Sequence, residues 1–249
     1  MTLALKNLSK TYIENGQSME IFRDLNLTIE SGSFVSLIGP SGSGKSTLCN
    51  LIAGIEKPDQ GQILLDDQEI TGMSGHVGYM FQKDLLLPWR TLRENATLGC
   101  DLIRKDKKIS SVEAIKGLEH FGLLDFADYY PHQLSGGMKQ RGALLRTILF
   151  GQPTLLLDEP FGALDALTRR EMQLWLLSIW IETKHTVLFI THDIEEAILL
   201  SDKIFVLSKY PAEIVEVIDV PFPRPRDPEL IFSSGILPLK TKLFNLLGT

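Results

Sequence analysis

The sequence predicts an α/β fold with a parallel-sheet core, an N-terminal antiparallel β subdomain and a helical insertion. Three observations carry that prediction. Phe34-Val35-Ser36-Leu37-Ile38, Thr154-Leu155-Leu156-Leu157 and Thr186-Val187-Leu188-Phe189-Ile190 are short apolar runs without polar alternation, which suits strands covered on both faces. Helically spaced apolar residues separate them, the order that builds a parallel sheet. Each run is followed by a glycine, an acid or a histidine, and ligands of such sheets gather at those strand ends.

The elements follow in chain order. Leu3 to Leu8 and Ile21 to Glu30 read as strands around the polar loop Glu14-Asn15-Gly16-Gln17-Ser18. The run 34–38 stops at Gly39, and Ser46 to Gly54 is helical, with Leu48, Leu51 and Ile52 on one face. Residues of about 83 to 150 contain Pro88, Pro131 and several helical patterns but no clear strand, so they form the helical insertion. Leu164 to Glu182 is a helix, and Ile204-Phe205-Val206-Leu207 with Ile214 to Val220 makes a hairpin around Pro211. Pro221, Pro223, Pro225 and Pro228 form a link, followed by a short amphipathic stretch bearing Leu239, Leu243, Leu246 and Leu247. The expected organisation is one domain over residues 1–220 and a link with a helical tail over 221–249.

Composition narrows the class of protein. The chain has 249 residues, 44% of them apolar and 22% charged, the make-up of a folded domain with a full core. Its net charge of −6 argues against nucleic acid as a partner, because phosphate counterions are displaced by a surplus of Lys and Arg. No apolar run approaches the roughly 18 residues of a membrane span, and Met1-Thr2-Leu3-Ala4-Leu5-Lys6 turns polar too early for a secretory signal. Cys49 and Cys100 make neither a disulfide framework nor a metal site, which suits a reducing cytosol.

The chemistry begins at Gly39-Pro40-Ser41-Gly42-Ser43-Gly44-Lys45-Ser46, which fits G-x-x-x-x-G-K-[ST] and is followed by Thr47. It lies between an apolar strand and a helix, as a phosphate-binding P-loop requires. Glycines let the backbone turn its N–H groups inward around a phosphate chain, and the helix N-terminus adds partial positive charge. Lys45 would reach the β/γ-phosphates and the Ser46 hydroxyl would ligate Mg²⁺. The core is therefore that of a P-loop NTPase. Leu155-Leu156-Leu157-Asp158-Glu159 brings Asp158 to a strand end as a second Mg²⁺ ligand and Glu159 one residue further as base for the attacking water.

Leu134-Ser135-Gly136-Gly137-Met138-Lys139-Gln140-Arg141 precedes a further helical stretch, with Ser135 as its N-cap and two glycines exposing backbone N–H groups. The string resembles the signature motif of the ATP-binding cassette (ABC) ATPases. The resemblance extends from about residue 3 to 220. It implies that Tyr12 stacks on adenine, that Gln82 links Mg²⁺ and water to a membrane partner, and that Ala163-Leu164-Asp165 crosses a dimer interface. It implies further that His192 contacts the γ-phosphate, and that Ser135, Gly136, Gly137 and Gln140 close on ATP held by the other chain. Glu159, His192, Gln82 and Lys45 are then the catalytic set, and Ser46, Gln82 and Asp158 the metal set.

The run Tyr79-Met80-Phe81-Gln82-Lys83-Asp84-Leu85-Leu86-Leu87-Pro88-Trp89-Arg90-Thr91, with Pro223-Arg224-Pro225-Arg226-Asp227, resembles the nitrate/sulfonate/taurine branch of importers, which also takes thiamine-precursor pyrimidines. This implies the ATPase subunit of a bacterial importer, a homodimer around two ATP at the cytoplasmic face of the membrane. Two separate membrane-spanning permease subunits and an external solute-binding protein would complete it, with a small anion or such a pyrimidine as solute. The alternative is a cytosolic ABC-type ATPase without a permease. Ser135 follows Lys45 too closely for the coiled coil of a DNA-repair ATPase. One cassette per chain does not suit a ribosome-associated protein, and a metabolic kinase would lack the Ser135 motif.

Leu145 and Thr147 depart from the small residues usual after the signature and should alter helix packing only. Of the apolar cluster Leu85 to Trp89, part is expected to form a groove for the permease. Cys49, Trp175 and Trp180 read as core, and Lys105 to Lys108 as a solvated turn. His76, His120, His132 and His185 show no metal-ligand spacing.

Overall fold

The computed structural model describes residues 1–14, 16–102, 107–162 and 164–248. Of the residues and ranges named above, Asn15, residues 105 and 106, Ala163 and residue 249 lie outside the described residues. Strands β1 (Leu3–Glu14) and β2 (Gln17–Ile29) pair antiparallel, and β4 (Gln60–Leu65) and β5 (Gln68–Glu69) extend the sheet in the order β2-β1-β4-β5. A second, six-stranded sheet runs β10-β9-β3-β8-β7-β6, built from β3 (Phe34–Ile38), β6 (Gly78–Met80), β7 (Thr154–Asp158), β8 (Thr186–Ile190), β9 (Lys203–Leu207) and β10 (Ile214–Asp219). All its pairings are parallel except the β9–β10 hairpin.

The apolar runs of the sequence are the inner strands of that sheet, and side-chain alternation explains why they are apolar throughout. Leu155, Leu157, Val187 and Phe189 face one layer; Leu156, Leu188 and Ile190 face the other. The first layer is packed by helices α5 (Gly136–Leu149) and α6 (Ala166–Thr183). The second is packed by α1 (Lys45–Ile52) and by the antiparallel sheet through Leu5, Phe22 and Leu27. Each such Leu, Ile or Phe, fully buried, contributes roughly 1.5–3 kcal/mol.

The insertion between β6 and β7 carries α2 (Leu92–Ala96), α3 (Leu98–Leu102), α4 (Lys107–His120) and α5, with no strand among its described residues. Lys107 and Lys108 open α4, so that part of the charged run is helical and not a turn. Leu145 and Thr147 are buried and meet glycines. A Cβ on Gly117 would lie 2.6 Å from Leu145 Cδ1, and one on Gly78 would lie 3.2 Å from Thr147 Cγ2. Their bulk is matched by missing side chains opposite. Cys49 and Trp180 are buried and Trp175 partly so, as core residues should be.

After β8 comes α7 (Ile194–Leu200), and the chain ends in α8 (Leu237–Gly248). The tail is packed, since Ile236 and Leu243 share a buried cluster with Ile198 of α7 and Ile204 and Val206 of β9. Arg226 lies beneath it and donates to Ile198 O, Leu199 O and Ser201 O at the C-terminal end of α7.

Candidate nucleotide-binding site

Parallel register brings the functional strand ends into line. Leu37 of β3 and Asp158 of β7 both oppose Ile190 of β8, and Met80 of β6 opposes Leu157. Gly39, Glu159, His192 and Gln82 therefore leave the sheet along one edge. The resulting cleft, of about 660 Å³, is lined by residues 41–47 with Gln82, Glu159, His192 and Tyr210.

The loop before α1 has the shape that glycine allows. Gly42 and Gly44 have φ of 79° and 86°, and a Cβ on Gly44 would lie 2.6 Å from Ile21 Cγ2 on β2. Gly44 caps α1 without a side-chain hydrogen bond, and no acid stands in the first turn. The backbone N–H groups there are left for an external anion. Lys45 Nζ donates to Gly39 O and Pro40 O at 2.9 Å each, with Ser43 Oγ at 3.4 Å. Burial pushes its pKa down, while the charges of Glu159 and Asp158 pull it back up.

Asp158 is only 4% exposed. Burial pushes its pKa up; the Ser46 hydroxyl donates to it and works the other way, and neighbouring Glu159 adds to the rise. The Tyr79 hydroxyl lies 3.5 Å from Asp158 Oδ2 and 3.3 Å from Asn50 Oδ1. A hydroxyl and a carboxylate held together beside a phosphate loop are a hard-oxygen set that fits Mg²⁺, with phosphate and water as its remaining ligands. Among the described residues no cluster of three or more His, Cys, Asp or Glu could hold a metal by itself.

Glu159 has φ of 44°, a left-handed conformation unusual for a residue with a side chain. Its N–H donates to Ile190 O at 3.0 Å. Oε2 accepts from Gln82 Nε2 at 3.2 Å and lies 3.4 Å from His192 Nδ1. Two residues far apart in sequence, Gln82 and His192, thus converge on one oxygen of Glu159. Tyr12 stands further along, on β1, donating its hydroxyl to Glu56 beside Thr47, with Lys10 Nζ 5.2 Å from its ring centre.

Sequence reasoning missed Tyr210, on the β9–β10 connection, which reaches the loop only through the fold. Ser135 and Gly136 are exposed at the start of α5 and are not among the residues lining this cleft. Ser135 Oγ accepts from Met138 N at 3.3 Å as the helix N-cap, and a Cβ on Gly136 would meet nothing closer than 3.9 Å. Gln140, one turn on, is buried and its Oε1 has no hydrogen-bond partner, so it does not share that exposed surface.

The sequence profile of the ABC transporter matches residues 22–162. The chain belongs to the ABC transporter family. Membership carries the cassette fold and the ATPase activity that the motifs implied. The aliphatic sulfonates import ATP-binding protein SsuB of Bacillus cereus is 42% identical over 92% of this chain and 91% of its own. The formylaminopyrimidine import ATP-binding protein ThiZ of Halalkalibacterium halodurans is 45% identical over 82% of this chain and 80% of its own. Dimeric structures of the bacterial ABC transporter cassette MJ0796, one of them bound to ADP and Pi, superpose with a TM-score of 0.77. They are 32% identical and cover 88% of this chain and 99% of that one.

The apolar cluster after Gln82 is divided by this cassette. Leu86 is buried and Leu87 half-buried, whereas Leu85, Pro88 and Trp89 are exposed, Trp89 by 70%. Arg146 donates to Leu85 O and Asp84 O. The same arginine borders a groove of about 270 Å³ lined also by Ile55, Phe81, Leu98, Leu102 and Phe150.

Proposed function

We propose that this cassette is the ATP-hydrolysing subunit of an importer, and that two copies close around two ATP to drive separate permease subunits. The observation that carries the reading is the meeting of Gln82 and His192 on Glu159 at the mouth of the phosphate loop. In the proposed site the N–H groups before α1 and Lys45 bind the phosphates, and Tyr12 takes the adenine. Ser46 and Asp158, with Gln82, would hold Mg²⁺, which supplies charge neutralisation on the phosphate oxygens. Glu159 accepts the proton of the attacking water, and His192 orients both against the γ-phosphate.

Ser135, Gly136 and Gly137 lie outside the cleft of their own chain, which supports a second copy turning that exposed helix start toward the ATP. Gln140, being buried, is proposed to support α5 rather than touch nucleotide. Leu164 and Asp165 would meet the partner at the same boundary. The permease is proposed to dock at the groove beside Arg146, with exposed Leu85 and Trp89 at its approach. No helix among the described residues is long and apolar enough to cross a membrane. The solute is proposed to be a small anion such as a sulfonate or nitrate, or a thiamine-precursor pyrimidine. An external binding protein would deliver it.

Glu159→Gln tests the reading. A general base is worth about 10²–10⁴-fold in rate, so hydrolysis should fall by that factor. Lys45, Ser46 and Tyr12 are untouched, so the variant should bind ATP and elute as a dimer, whereas Lys45→Ala should stay monomeric with ATP. An active Glu159→Gln enzyme removes the base assignment, and a hydrolytically competent monomer removes the shared site.

A further inference from the structure

A closed circuit of contacts runs from Glu159 through residues that do not line the nucleotide cleft to His192, and from there back to Glu159. Along the chain, Gly162 N donates to Glu159 O at 3.1 Å and Leu164 N to Phe161 O at 3.1 Å. From Leu164 the path leaves the backbone, because Arg169 Nη2, on the first turn of α6, donates to Leu164 O at 2.9 Å. The same guanidinium faces Glu196 Oε1 and Asp193 Oδ2, each at 3.9 Å. Glu196 accepts from Thr191 Oγ1 at 2.5 Å and from Gln173 Nε2 at 3.0 Å. The Thr191 hydroxyl in turn accepts from Asp193 N at 3.0 Å. Between Thr191 and Asp193 stands His192, whose Nδ1 returns to Glu159 Oε2.

We infer that Glu196 and Arg169 are positioning residues, which set where His192 stands relative to Glu159 and tie that distance to the segment around Leu164. The inference rests on the proposed roles of Glu159 and His192. His192 has an exposed side chain, 67% open, so its own packing does not hold it. What holds it is the backbone on either side: the Glu196 carboxylate fixes the Thr191 hydroxyl before it, and that hydroxyl accepts from Asp193 N after it. A carboxylate only 6% exposed is costly to the fold, and burial raises its pKa. An apolar side chain would fill that space at less cost, but it would leave the Thr191 hydroxyl free to rotate and take from Arg169 one of the two carboxylates that face it. Because Arg169 also holds Leu164 O, a shift of that segment is transmitted to Glu196 and from there to His192.

The test is a kinetic set on the full chain. Glu196→Ala should lower kcat at least about tenfold with KM for ATP within about twofold, since a displacement of an ångström in a catalytic group has effects of that order. Glu196→Gln can still accept from Thr191 and reach Gln173, so it should recover most of the rate. In a His192→Ala background, Glu196→Ala should produce no further loss of kcat, because the group it positions is gone. Thr191→Val, which removes the same bond at nearly constant volume, should match Glu196→Ala and serves if that variant folds poorly. The inference is overturned if kcat in either variant stays within twofold while the melting temperature falls. Retention of the full loss on the His192→Ala background, or failure of Glu196→Gln to recover rate, overturns it equally. An active Glu159→Gln enzyme is a separate result, and it would count against the catalytic reading beneath.

Discussion

Replacing Arg226 by methionine should cost the protein about 2–4 kcal/mol, and the structure shows where that figure comes from. The last carbonyls of a helix have no donor within it. Here Ile198 O, Leu199 O and Ser201 O accept from Arg226 Nη1 at 3.0, 3.2 and 2.5 Å, and Phe222 O accepts from Nε at 3.0 Å. A buried carbonyl left without a partner costs about 1–3 kcal/mol, but one nitrogen serves three of these and water can enter part of the space, so the losses do not add in full. Burial and the nearby Arg224 charge push the guanidinium pKa down to about 10, which leaves it charged at neutral pH at a desolvation cost that methionine relieves. Carbonyl desolvation wins, because methionine fills the space and offers no donor. Urea unfolding followed by tryptophan fluorescence and by circular dichroism should show the midpoint falling by roughly 1 M at an unchanged slope. Coincidence of the two probes checks two-state behaviour. Arg226→Lys should lose less, since an ammonium keeps donors. A methionine variant within about 0.5 kcal/mol of the parent would refute the claim that the tail arginine caps α7.

Asp158→Asn should raise the melting temperature of the nucleotide-free protein at pH 7 while abolishing hydrolysis. Its carboxyl pKa is raised in the fold, so the native state loses stability as pH climbs from the ordinary aspartate value through the raised one, and the amide variant should lack this fall. Cys49 is fully buried with its thiol pKa pushed up, first by burial and then by Asp158, so a disulfide reagent at pH 8 should not label it until the protein is unfolded. Trp89→Ala should leave ATP hydrolysis by the isolated cassette within a few-fold and melting unchanged, but abolish solute uptake by the assembled transporter. Equal loss of fold and hydrolysis would place Trp89 in a local core instead.

Elements whose identity is a matter of pattern were legible without coordinates. Phe34–Ile38 and Thr186–Ile190 are strands with the bounds their apolar runs suggest, and Ser135 caps the helix it precedes. Strands β4, β5 and β6 carry no such pattern. Gln60-Gly61-Gln62 opens one with polar residues, and β5 and β6 are two and three residues long, too short for any periodicity. They exist because neighbouring strands offer them partners, a tertiary cause. The residues from Gly39 to Ser46 suggested their chemistry by spacing, and the acids 158 and 159 by their place after a buried strand in a chain that already carries such a loop. Tyr210 and the pair Arg169–Glu196 did not, since nothing in a short window relates the residues concerned.

The class of chemistry and the inner frame thus follow from the order of residues: a phosphate loop on a buried strand, a carboxylate at the end of another buried strand, and a capped glycine pair at the start of another helix. Local physics suffices for these, because glycine torsions, caps and two-sided burial act within a few residues. Which side chains share an oxygen is a matter of packing across the whole domain. Gln82, Glu159 and His192 meet because parallel register sets three strand ends level. The place of His192 relative to Glu159 is, on the inference above, set by Arg169 and Glu196 on helices that the sequence places but cannot orient.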